Sequence, residues 1–87
     1  MVQGISNSNK TYDNLVDLTE DYLGPAAERF IQRQIRVHLD KEPDQLTQND
    51  LPKLANWVKV AIAILTEDSQ MVNQYTNGII ELSKKKE

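Results

Sequence analysis

Apolar residues recur at three- and four-residue steps from Tyr12 to Leu82 and nowhere alternate over a strand's length, so the chain is patterned for helices throughout. The most restrictive part lies in the second half. Leu51, Val58, Leu65, Val72 and Ile79 are spaced by sevens, and Leu54, Ala61, Tyr75 and Leu82 share a second register. A single long helix, even a coiled coil, could carry that pattern. Against it, Asp68 occupies an apolar slot, inside a Thr66-Glu67-Asp68-Ser69 segment able to stop one helix and cap another. We therefore expect a break there and two helices rather than one.

The first half is punctuated more sharply. Tyr12, Leu15, Val16, Leu18, Tyr22 and Leu23 give a first helix one apolar face, with Thr11 as the expected N-cap and Asp13 in its first turn. Gly24-Pro25 ends it, because glycine takes the left-handed position after a helix and proline suits the start of the next. A second helix is expected from Pro25 to about Lys41, burying Ala27, Phe30, Ile31, Ile35 and Leu39, with Glu28 near its N-terminus. Glu42-Pro43-Asp44 breaks it, and Leu46 should anchor the connection inward.

Asn49 is the expected cap of the third helix, which places Pro52 in the first turn where its missing N–H costs nothing. Thr47 would make a capping box with Asp50, but would put Pro52 where the helix first needs a donor. Leu51, Leu54, Ala55, Val58, Ala61, Ile62 and Leu65 should form its buried face. Trp57, Val60 and Ile64 form a second stripe: core if the helix is surrounded, a partner surface if it is not. The fourth helix carries Val72, Tyr75, Ile79 and Leu82, with Met71 and Ile80 beside them. It ends in Lys84, Lys85 and Lys86, which suit the negative helix terminus. Residues 1–10 are polar and unpatterned and read as a flexible leader. Residues 11–87 then form a single domain, an all-α compact four-helix antiparallel bundle.

Chemistry is thinly represented. The chain has no cysteine, which excludes disulfides, Cys-zinc sites and thiol catalysis. His38 is the single histidine, so a partnered serine nucleophile has few means of activation, and a structural place on the helix is expected for it. Asp40, Glu42 and Asp44 straddle a proline and do not match a calcium loop. Gly4, Gly24 and Gly78 are isolated, so there is no phosphate-cradling loop. No catalytic, cofactor-binding or metal residue is assigned, and no cofactor is expected. No apolar run approaches a membrane span and no signal-peptide core is present, so the expected location is cytoplasmic, with no membrane partner.

Charge is more informative. The net charge of -3 argues against a general nucleic-acid binder. Five acids precede Arg29, whereas residues 29–41 hold Arg29, Arg33, Arg36 and Lys41 against Asp40. The three arginines fall within about 60° on a helix and form one ridge. It accepts an acidic partner segment, or is a solvated face, or pairs with Asp13, Asp17, Glu20 and Asp21 of the first helix.

At Tyr22-Leu23-Gly24-Pro25-Ala26-Ala27, followed by Phe30, Ile31 and Arg33, the chain resembles a motif of bacterial signalling proteins. There, a helix ends in a Tyr-Ile/Leu-Gly-Pro-x-Ala corner and a second helix follows. Such helical modules are appended to bacterial, including cyanobacterial, kinases, cyclases and response regulators. The likeness covers residues 15–39. It implies a small all-helical accessory or regulatory domain with no catalytic residues to carry over, and the third and fourth helices have no counterpart in it. The expected function is thus a noncatalytic protein–protein interaction or regulatory module, acting on another protein or as a homodimer. Its interface candidates are Trp57, Val60 and Ile64 with Arg29, Arg33 and Arg36. The alternative is a nucleic-acid-binding helical domain that uses the arginine ridge.

Overall fold

The computed structural model describes residues 9–84, all-α and compact, with no strand among them. Helix α1 spans Lys10–Leu23, α2 Ala27–Leu39, α3 Leu51–Leu65 and α4 Ser69–Lys84. Each of α1 and α3 packs against both α2 and α4. The core is drawn from all of them, with Leu15, Ile31, Ile35, Leu51, Leu54, Val58, Ile62, Tyr75 and Ile79 fully buried. Burial of each large aliphatic side chain contributes about 1.5–3 kcal/mol before the entropy of ordering is subtracted.

The break between α3 and α4 is present. Thr66 leaves α3 in an extended conformation, and its hydroxyl accepts the Asp68 N–H. The Asp68 carboxylate then accepts the Met71 N–H at 3.0 Å, while the Asp68 carbonyl accepts the Val72 N–H. This caps α4 and turns it back along α3, so that Gln48, just before α3, donates to the carbonyl of Leu82 near the end of α4. Leu65, expected in the buried face, is instead 65% exposed. It is the last residue of α3, where the chain swings away and nothing packs over it.

Two caps differ from expectation for a shared reason: each serves a contact remote in sequence or an added turn. Asn9, not Thr11, caps α1: its side-chain oxygen accepts the Tyr12 N–H while its amide donates to the carbonyls of Asp44 and Leu46. The helix therefore starts at Lys10, and Asn9 and Lys10 belong to the folded part. The rest of the predicted leader, residues 1–8, lies outside the described residues, as do Lys85 and Lys86. Thr47, not Asn49, begins the third helical segment. A 3-10 turn over Gln48–Asp50 precedes α3, so Pro52 still falls in the first turn and its missing donor is not needed.

The corner between α1 and α2 follows the glycine-proline reading, with Gly24 at φ 63 and its N–H on the Glu20 carbonyl. A 3-10 turn over Gly24–Ala26 delays α2 to Ala27. At the other end Asp40, at φ 55, takes the left-handed position and stops α2 before Lys41. Leu46 is buried as expected.

Helices α1 and α4 meet closely because Gly78 presents no side chain; a Cβ there would stand 3.0 Å from the Leu18 side chain. One turn away, Tyr75 is buried against the tilted ring of Tyr22, with its hydroxyl 2.6 Å from that of Thr19. The Thr19 hydroxyl donates to the Leu15 carbonyl, so its single proton is engaged and Tyr75 is the donor between the two. Burial pushes the Tyr75 phenol up to about 12, partly offset because Thr19 can turn its proton toward a phenolate. A folded value above the unfolded value of 10.0 means stability is lost as pH rises. We expect a loss on the order of 2 kcal/mol between about pH 10 and about pH 12. Denaturant titrations should show this slope in the native chain and a flatter one in Tyr75→Phe; equal slopes would contradict the assignment.

A candidate interaction surface on α2 and α3

The residues proposed for recognition lie on two helices, as an apolar stripe on α3 and an arginine ridge on α2. On α3, Trp57, Val60 and Ile64 fall within about 60° of one another, on the side opposite Leu51, Val58 and Ile62. All three face solvent, at 45%, 58% and 79% exposure. The stripe is a surface and not a second buried face, because α3 has neighbours in α2 and α4 but none on its outer side. Val37 of α2 is also an exposed large apolar residue.

Trp57 is held in place by α2. Its ring stacks on the His38 imidazole with centroids 4.4 Å apart and planes 4° from parallel. His38 therefore has a structural position beside an aromatic. Such a stacked pair fixes the indole plane while leaving one face open, which lowers the entropy lost when that face is covered.

The arginine ridge is exposed, and of the three expectations only pairing with the acids of α1 is contradicted. Arg36 bridges to Glu42 at 3.1 Å, just beyond the end of α2. Among the described residues Arg29 and Arg33 have no ion-pair partner, and none of the three arginines pairs with the acids of α1. Asp13, Asp17, Glu20 and Asp21 all remain exposed on α1. The two sets of charge thus lie on separate outer faces. The shorter, less exposed ion pair is elsewhere: Lys41 Nζ lies 2.6 Å from Asp50 Oδ2, tying the end of α2 to the start of α3. Partial burial works against the Asp50 anion, but Lys41 and the Thr47 N–H and hydroxyl outweigh it and hold the carboxyl below its ordinary value.

Two open grooves lie on the surface of the described residues. One of about 240 Å³ is lined by Arg36, Asp40, Lys41, Glu42 and Gln45, and one of about 340 Å³ lies between α3 and α4 beside Lys59, Ala63 and Val72. Among the described residues no group of three or more His, Asp or Glu side chains is placed to hold a metal. No described helix is long and apolar enough to cross a membrane.

Sequence reasoning missed Gln34. It lies on α2 at 8% exposure, and its side-chain oxygen is buried without a hydrogen-bond partner. Only its position, one residue before buried Ile35 on the helix, marks it in the sequence. An orphaned buried amide oxygen is destabilising, so Gln34→Leu is expected to raise stability by about 1 kcal/mol in urea denaturation. A loss of stability would show that this amide has a partner in solution.

No protein-family model, curated protein or solved structure matches this chain.

Proposed function

We propose that this chain is a noncatalytic protein–protein interaction module that recognises its partner through the outer face of α3. The observation that carries the reading is the exposure of Trp57, Val60 and Ile64 together. Scattered apolar residues are ordinary on a surface, but an aromatic-anchored stripe along one helix marks an interface. Arg29 and Arg33, without an ion-pair partner among the described residues, add a separate exposed surface on α2 suited to carboxylates.

The scaffold is, in this reading, a compact antiparallel bundle of four helices that holds the stripe rigid. Its Gly24-Pro25 corner supports a regulatory role in bacterial signalling, in the cytoplasm, by resemblance to accessory helical modules that carry no active site. The same unpaired arginines favour a second reading, nucleic-acid binding along α2, which the exposed acids of α1 and the net charge of -3 oppose. Phosphate binding of that kind would weaken steeply with salt, and no shift with DNA or RNA at low ionic strength eliminates it.

Trp57 reports on the main reading directly, being the single tryptophan. In the isolated monomer its emission should be quenched by acrylamide, and association should protect it. Trp57→Ala is expected to weaken association by about tenfold or more while the helical circular-dichroism signal is preserved. Blue-shifted, unquenchable emission from a proven monomer would contradict the reading.

A further inference from the structure

We infer that the partner of the α3 stripe is a second copy of this chain, docked antiparallel about a two-fold axis at Val60. The inference rests on the reading of that stripe as an interaction surface and adds the identity of what covers it.

The argument is the order of residues along the stripe. Trp57 lies three positions before Val60 and Ile64 four after it within α3; Lys53 lies in the first turn of α3, and Glu67 lies just beyond its last turn, after the extended Thr66. A two-fold axis through Val60 therefore sets Val60 against Val60 and Trp57 beside Ile64, and brings the first turn of one α3, with Lys53, to the corner that follows the other, where Glu67 lies. A two-fold interface demands that kind of self-complementarity, in which each residue meets the counterpart of its own partner.

The charges at the two ends are available for it. Lys53 and Glu67 are exposed, and neither has an ion-pair partner within the described chain. Asp68 is already engaged in capping Met71, which leaves Glu67 as the free acid at that corner. Antiparallel docking also sets the positive N-terminus of each α3 beside the negative C-terminus of the other. Parallel docking would oppose Lys53 to Lys53 and Glu67 to Glu67. Charge at both ends thus selects one orientation, while the apolar centre supplies the attraction.

The test uses the full chain and exploits its lack of cysteine. Light scattering from micromolar to near-millimolar concentration should show the mass rising from 10.0 kDa toward twice that value. Each of Lys53→Glu and Glu67→Lys enters the dimer twice and should weaken it about tenfold, while the double reversal restores affinity. On oxidation Val60→Cys should cross-link to itself. Lys53→Cys should not, because its symmetry mate lies about 20 Å away, but it should cross-link to a chain carrying Glu67→Cys. Self-linkage of Lys53→Cys faster than of Val60→Cys overturns the inference. A monomeric mass at every concentration also overturns it. If Trp57 is quenchable in that monomer, the interaction surface survives and another protein covers it; if Trp57 is shielded there, both readings fail.

Discussion

The turn at Thr66–Asp68 is the constraint on which the rest of the structure depends. The residues on either side of it have one continuous heptad-like pattern, so nothing in the hydrophobic spacing alone forbids a straight helix. The extended Thr66 and the Asp68 cap together remove that option by satisfying the first donors of α4 in a new direction. Only after this reversal can Tyr75 and Ile79 reach the side of α1 that carries Leu15 and Thr19. The core is thus made from a pattern that could equally have served association between long helices.

The same turn decides what is left outside. Burying Leu54, Val58 and Ile62 against the other helices fixes the rotation of α3 and leaves Trp57, Val60 and Ile64 exposed. The helices packed on α3 are α2 and α4, and neither covers its outer side. His38 offsets part of that exposure by stacking on Trp57. The outcome is an apolar stripe held at the surface of α3, with an arginine ridge exposed on α2 and acids exposed on α1.

Much of the architecture was legible in the residues, and the parts that were not share a cause. The helical segments, the glycine-proline corner, the break before Ser69 and the inward Leu46 follow from local rules that a single helix or turn obeys. Asn9 escaped because its amide is fixed by carbonyls of Asp44 and Leu46, which local rules do not see. Thr19 escaped because a threonine on an otherwise apolar face is buried only when a tyrosine from another helix arrives to bond it. Gly78, set aside as an isolated glycine, matters through the close approach of Leu18. At the candidate site the residues of the stripe were identifiable from spacing, but whether they were core or surface was not: that depends on which sides of α3 have neighbours. The expected alternative of arginine pairing to α1 failed for an electrostatic reason, since exposed pairs are too weak to draw two outer faces together.

The most direct test of this account is the distance between the start of α3 and the end of α4. Spin labels on Lys53→Cys and Glu81→Cys in a single chain, diluted with unlabelled protein, should report a separation within about 20 Å, as expected for neighbouring helices turned back on each other. A separation near about 40 Å, the span of an uninterrupted helix between those positions, would contradict it.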